Sequence, residues 1–515
     1  MPPTRATTDL ARRAFLQRAL LLGGGALAGP GLLTLPRPAA AKKRGGTLTV
    51  GMPNDFNTFD PQNLSFANFT LQQNLYDTLV RYDGSLKPLP GLAERWTIAP
   101  DGHAVTLSLR RGVRFHSGKE LVAADVVKNF EKAADKERGQ NMLPAVANVA
   151  SVTAPDAGTV AITFKKVSPE ITDVLQAMAI IEPAAMDSLK NRGSGTGPFK
   201  FVEWVPGDHT TLERNGAYWG APAPYVDRVV FKVFSDSDAM VAALQSGICD
   251  LVVSLPPKDV ARLGREFNLV RGYPGALTYE IRVNGTKPPF DKKEARQALL
   301  YAIDRAGVVE NVLFGVSQPT VLPFSPKSAA YDATLQKYPF DLKKAKELFD
   351  RAGVAGGKAQ CLALPQFPEL PAIGQILKAD LAKIGFDLEL VVLDSTQYYK
   401  RVLGGDFQLA TSFSGNTQKY PTRVALNSIY RTANNPVWGN NVPKAYVDAI
   451  NEANGTIDPT RQRAAFAKLN AALLDEAWVV SIAYRQSVFG LAKHVDGFAF
   501  TVDDMAVLES VSLEK

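Results

Sequence analysis

The sequence predicts an α/β protein built from more than one domain. Three observations carry that expectation. The chain has 515 residues, too many for one ordinary core. Short segments alternate apolar and polar residues, as half-buried strands do. Other segments repeat apolar residues every three to four positions, as amphipathic helices do, and the two kinds interleave along the chain. An apolar share of 46% and a charged share of 21% belong to a globular protein rather than a disordered one.

The N-terminus stands apart. Arg12-Arg13-Ala14-Phe15-Leu16-Gln17 precedes a glycine-rich, weakly apolar run, and Ala39-Ala40-Ala41 follows. This order predicts a cleaved export signal over residues 1–41. The arginine pair matches the twin-arginine pattern, with an ordinary Sec signal as the alternative. The segment holds Arg5, Arg12, Arg13, Arg18 and Arg37 against Asp9, so +4 of the formal net charge of +7 leaves with it. The remaining basic residues are interspersed with acids, which argues against a nucleic-acid stripe. No cysteine stands near residue 41 to carry a lipid, so a periplasmic protein without a lipid anchor is expected. Cys249 and Cys361 sit in apolar, strand-like settings and read as buried free thiols.

In the mature part, Leu48, Val50 and Met52 share one face of an opening strand. In AVTLSLRRGVRF, Val105, Leu107, Leu109, Val113 and Phe115 keep one parity, which predicts a strand pair bending at 110–112. Val160, Ile162 and Phe164 form another strand, as do Val229, Phe231 and Val233. Asp291 with Glu294 predicts a capping box opening a helix striped by Ala295, Ala298, Leu299, Ala302 and Ile303. Asp341 opens a second helix that Gly353 ends. A helix over 376–384 then leads into a strand over 386–392. Glycine-rich Gly193-Ser-Gly-Thr-Gly-Pro198 and Tyr273-Pro-Gly275 are candidate joints.

RRGVRFHSGKE places five residues between Gly112 and Gly118, and Glu120 follows Lys119. A phosphate loop needs four residues and then Lys-Ser/Thr. His103, His116, His209 and His494 show no metal-ligand spacing, and His116 reads as a turn residue bonded to backbone. No G-x-S-x-G elbow occurs. Asp236/Asp238 reads as helix capping and Asp503/Asp504 as a solvated loop. No catalytic residue, metal site or cofactor is expected.

Several motifs in order carry a family resemblance: Leu89-Pro-Gly-Leu-Ala-Glu-Arg-Trp96, Leu107-Ser-Leu-Arg-Arg-Gly-Val-Arg-Phe-His-Ser-Gly118, Gly195-Thr-Gly-Pro-Phe199, Leu244-Gln-Ser-Gly247, Pro288-Pro-Phe290, Ala302-Ile-Asp304 and Leu381-Ala-Lys-Ile-Gly385. Together they resemble the family 5 extracytoplasmic solute-binding proteins of ABC importers, the dipeptide-, oligopeptide- and nickel-binding group. The resemblance implies a periplasmic-binding-protein-like two-lobe fold (type II-like, cluster C) with an extra α/β domain in the first lobe. Lobe I would comprise 45–82, 195–276 and 486–515, the accessory domain 83–194, and lobe II 277–485. The implied activity is non-catalytic: a small solute is captured by hinge closure and delivered to permease subunits with cytoplasmic ATPases. Membrane contact would run only through the permease, and a monomer is implied. A periplasmic hydrolase, or a chaperone-like or sensory peptide binder, are the alternatives.

By the same resemblance the pocket is lined by segments 54–60, 278–284 and 412–421. The expected ligand residues are Phe56, Asn57, Tyr279, Arg282, Asn284, Asn416, Gln418, Lys419, Tyr420 and Trp438. Phe56 and Tyr279 can equally pack the hinge, Arg282 can pair with an acid, and Trp438 can stack on a ring or pack a loop. Related peptide binders often carry an acidic D-x-x-D-P pattern in the third segment. Here Gly415-Asn-Thr-Gln-Lys-Tyr-Pro421 has a lysine and no carboxylate, which disfavours an isolated ammonium beside it. Pro365-Gln-Phe-Pro368 lacks the arginine that dipeptide binders use. A peptide-like, sugar-like or anionic solute is therefore expected rather than an ordinary dipeptide.

Overall fold

The computed structural model describes residues 42–64, 68–220, 224–415, 419–426, 430–433, 435–439 and 441–514. The predicted export signal and the candidates Asn416 and Gln418 lie outside the described residues. Among the described residues no helix is long and apolar enough to cross a membrane.

Three sheets organise the chain. A seven-stranded sheet runs in the order Asn268–Arg271, Val488–Leu491, Leu251–Val252, Thr47–Met52, Arg228–Val233, His209–Arg214, Phe199–Val205. Thr47–Met52 pairs in parallel with strands on both sides. Leu48, Val50, Val229 and Phe231 are fully buried in its core, as their alternation predicts. A five-stranded sheet has the order Asp387–Val392, Lys358–Ala363, Leu409–Gly415, Leu277–Val283, Val479–Arg485. A four-stranded antiparallel sheet joins Ala93–Ile98, Ala104–Leu109, Thr159–Phe164 and Val149–Asp156. The first two sheets centre two lobes, and the third forms an extra layer with its own apolar core.

Helix predictions from local pattern mostly match. Asp341 caps Leu342–Arg351 by accepting a bond from the Lys344 N–H at 2.9 Å, and Gly353 ends it at φ +69°. Ala295, Ala298, Leu299, Ala302 and Ile303 are all fully buried. The capping box at Asp291 does not form. That helix runs Lys293–Ala302, and its N-cap, Lys292, makes no side-chain cap bond. The Asp291 carboxylate lies instead 3.4 Å from the Lys292 ammonium.

The predicted strand pair at 104–115 is also not formed. Ala104–Leu109 already has both edges occupied, by Ala93–Ile98 and Thr159–Phe164. The chain turns at Gly112 (φ +73°), and Arg114 makes only an isolated bridge to Glu120. Val113 and Phe115 are still buried. His116 then staples this unit to the glycine-rich joint. Its backbone N–H donates to the Gly195 carbonyl at 2.9 Å. Its Nδ1 accepts from the Gly195 N–H at 3.3 Å, which leaves Nε2–H to donate to the Gly197 carbonyl at 3.1 Å. Burial lowers its pKa to about 4, consistent with that neutral tautomer.

Two segments cross between the lobes, after Arg271 and after Arg485, and they are bonded to each other. The Gly272 N–H donates to the Ser487 carbonyl at 2.8 Å, and Gln486 Nε2 returns a 2.7 Å bond to the Gly272 carbonyl.

Candidate functional site

The region between the lobes is built around a hairpin, Ala499–Phe500 paired with Ala506–Val507. Its tip carries Asp503 and Asp504. These acids are 7% and 6% exposed, which overturns the expectation of a solvated loop. Their burial comes from segments remote in sequence. Asp504, at φ +59°, accepts bonds from the N–H groups of Tyr273 and Ser487, one on each crossing segment. Burial raises its pKa to about 6, opposed by those backbone bonds. Gly272 leaves room for it, since a Cβ there would run into the Asp504 carboxylate.

Asp503 faces the other lobe. Its Oδ1 pairs with the Lys419 ammonium at 2.5 Å, and both side chains are 8% exposed. Lys419 leads into the short helix Pro421–Ala425, and two further contacts hold this element across the cleft. The Tyr420 N–H donates to Asp173 Oδ2 at 2.5 Å, and Arg423 pairs with Glu170 at 3.1 Å. Asp173 also accepts from the Tyr82 hydroxyl at 2.6 Å. Its burial raises its pKa to about 6. One lobe therefore offers an ammonium, a guanidinium and an N–H. The opposite side answers with three carboxylates.

Cavities flank this contact. One is lined by Asp503, Gln72, Gln73, Tyr76, Thr78 and Gln176, among others. A second is lined by Lys419, Thr278, Ser325, Ser328, Ser414 and Val424, among others. A third shares Pro323, Ser414 and Val424 with the second and adds Glu280, Leu473 and Trp478. A fourth holds Asn54, Thr70, Ser254 and Asp504.

The sequence-predicted residues divide accordingly. Lys419 lines a cleft cavity. Phe56 is packed edge-on against Phe231 at 5.5 Å, while Asn57 is exposed and exchanges bonds with Asn68 at 2.6 and 2.9 Å. Tyr279 is buried within the second lobe, and Arg282 is buried and paired with Glu280 at 2.8 Å. Asn284 is fully buried. It donates to the Gly405 carbonyl and accepts from Thr286, holding a turn. Tyr420 packs edge-on against Phe466 at 5.7 Å, and its hydroxyl donates to the Ala453 carbonyl. Trp438 sits under the Arg296 guanidinium at 4.6 Å and against Trp478 at 5.3 Å. Sequence reasoning missed Asp503, Glu170, Asp173 and Gln176. The adjacent acids at 503 and 504 were the one visible signal.

Elsewhere, Asp236 caps Ser237–Gln245 as predicted. Cys249 and Cys361 are free and buried, with thiol pKa values pushed up to about 11 and about 12 by burial. Among the described residues, no group of three or more His, Cys, Asp or Glu is placed to hold a metal.

Comparison with known proteins adds the family context. The family model for bacterial extracellular solute-binding proteins, family 5 Middle, matches residues 87–436. The Di/tripeptide-binding protein 1 of Pseudomonas aeruginosa is 27% identical over 483 residues, covering 86% of this chain and 89% of that protein. The glutathione-binding protein GsiB of Salmonella choleraesuis is 30% identical over 379 residues, covering 71% and 73%. Among solved structures, the periplasmic binding protein DppA of Helicobacter pylori, in complex with the peptide STSA, superposes with a TM-score of 0.79. It is 27% identical and covers 92% of this chain and 99% of that one. NikA of Brucella suis has the same fold, with a TM-score of 0.82 at 22% identity, covering 91% and 100%.

Proposed function

The chain belongs to the family 5 bacterial extracellular solute-binding proteins, and we propose that it captures a peptide-like, sugar-like or anionic solute between its lobes. Its class is the substrate-binding component of an ABC importer, a family of binding proteins rather than enzymes. The solute is held between 277–485 on one side and the lobe formed by 45–82, 195–276 and 486–515, with the accessory domain 83–194, on the other. Closure about the two crossing segments buries it, and the closed form docks on permease subunits as a monomer. The observation that most supports this reading is that Asp503 lines a pocket on one side, Lys419 lines a pocket on the other, and the two side chains pair across the lobes. Few, convergent polar groups in a largely desolvated space are what a selective binding site requires.

Lys419 is the ligand residue this reading favours. Asn416, Gln418 and the remaining residues of the three segments are further proposals. A thermal-shift screen of the mature protein against peptides, sugars and organic acids should find at least one stabilising solute. Turnover of that solute would favour a hydrolase, and weak indiscriminate binding to unfolded chains would favour a chaperone. We also infer twin-arginine export to the periplasm without a lipid anchor. Replacing Arg12 and Arg13 by lysine should leave the precursor in the cytoplasm, and undiminished export would point to the Sec route.

A further inference from the structure

Asp173 sits where the accessory domain meets the second lobe. It belongs to the helix Ile171–Ala177 and is 2% exposed. From the second lobe the Tyr420 N–H donates to its Oδ2 at 2.5 Å, and the Lys419 backbone N–H also bonds to it. From its own side the Tyr82 hydroxyl lies 2.6 Å from its Oδ1 and 2.9 Å from Thr172 Oγ1. The charged and titratable groups around it are Lys419, Tyr420 and Arg423 on the second lobe, Tyr82 and Glu170 on its own side, and Asp503 on the hairpin.

The Tyr82 hydroxyl has one proton and two oxygen neighbours, so the carboxyl can be satisfied in either form. When Asp173 is ionised, Tyr82 donates to it and accepts from the Thr172 hydroxyl. When Asp173 carries a proton on Oδ1, that O–H donates to the Tyr82 oxygen, and Tyr82 donates to Thr172. Oδ2 accepts from the Tyr420 N–H in both arrangements. A proton added here therefore costs no hydrogen bond.

Burial supplies the preference between the two forms. Desolvation raises the Asp173 pKa to about 6, opposed by Tyr82, Tyr420 and Lys419. When the lobes part, Lys419 and Tyr420 leave and water reaches the carboxyl, which returns it towards the ordinary value near 3.9. The closed form then binds the proton more tightly than the open form. By linkage the proton favours closure, and that contribution is lost as pH rises through 6.

We infer that Asp173 is a proton site that couples acidity to closure: a proton taken from solvent onto its Oδ1 holds the second lobe against the accessory domain, and its loss loosens that contact. This rests on the closure reading above and adds a regulator to it.

Hydrogen exchange of the mature protein without solute, followed at amides 419–425, tests the proton site. Corrected for intrinsic exchange, their protection should rise about tenfold from pH 7.5 to pH 5, the ratio set by values near 6 closed and 3.9 open. Asp173→Asn is neutral at every pH and should show high protection that does not change with pH. Thr172→Val removes the acceptor that Tyr82 needs when Asp173 is protonated, and should shrink the rise. Thr172 is only half-buried, so this variant keeps the test open if Asp173→Asn does not fold. Amides at the centre of the five-stranded sheet, such as Ile281, should not share the rise. Protection that stays level or falls on acidification, or a rise that survives in Asp173→Asn, overturns the proton site. An equal rise at Ile281 would mark global stability and overturn it too. No solute enters this measurement, so its failure leaves the binding-protein reading standing, and a failed solute screen leaves the proton site standing.

Discussion

At the scale of single residues, His116 shows how a motif with several chemical readings resolves into a joint. It is enclosed by the glycine-rich joint, with Lys200, Asp77 and Glu182 as the charged groups around it. Its folded pKa of about 4 lies below the roughly 6.5 of an unfolded histidine. Between those values the unfolded chain binds the extra proton, so stability rises with pH across the window and falls on acidification. The full effect below pH 4 is about 3 kcal/mol. A His116→Gln variant should lack this dependence. Urea denaturation of both proteins between pH 4 and 7 checks it, and parallel stability curves would rule it out.

Residue-scale legibility followed locality. Asp236 and Asp341 were readable as caps because a cap bonds to amides two or three positions on. Asp503 was not, because its partner lies 84 positions away. Adjacent acids in a short loop look solvated unless the opposite lobe is known to close over them. Arg282 was readable only as a choice between a ligand and an acid, and the acid it pairs with, Glu280, lies two residues away.

At the scale of elements, the short helix Pro421–Ala425 and the lysine before it form the closing contact. Its interactions across the cleft are polar, so the closed arrangement is sensitive to their loss. Arg423→Ala removes the cation from Glu170, whose Oε2 already has no partner among the described residues. A buried hydrogen bond to a charged group is worth roughly 1.5–3 kcal/mol. If that free energy favours closure, affinity for any solute held by closure should fall about tenfold or more, with global stability little changed. Calorimetry on the solute found by the screen, beside a thermal melt, checks both. Unchanged affinity would remove this contact from the closure mechanism. The helices themselves were legible from their stripes, as at Ala295–Ile303, because burial periodicity is set by the helix. The misread strand at 113–115 kept the right inward residues and lacked a strand partner. Alternation reports which side chains are inside, and it cannot tell whether a sheet edge remains open.

At the scale of the whole molecule, the two crossing segments must bend together for the lobes to move as bodies, and Asp504 ties them. Its carboxylate accepts from Tyr273 on one and Ser487 on the other. Asp504→Ala leaves both N–H groups without that acceptor. Each lost bond to a charged group costs roughly 1.5–3 kcal/mol locally. Amide exchange at Tyr273 and Ser487 should then accelerate by about ten- to a hundredfold, while the centres of the seven- and five-stranded sheets keep their protection. Scattering from the variant should also show a wider spread of lobe separations than the wild type. The carboxyl's own titration separates this role from general loosening. Its folded pKa of about 6 lies above the unfolded value near 3.9. Its contribution to stability is therefore present at low pH and lost as pH rises through 6. The alanine variant, lacking that group, should not share this decline. Protection unchanged at 272–277 and 485–488, or lost equally in the sheet centres, would show that Asp504 does not couple the crossings.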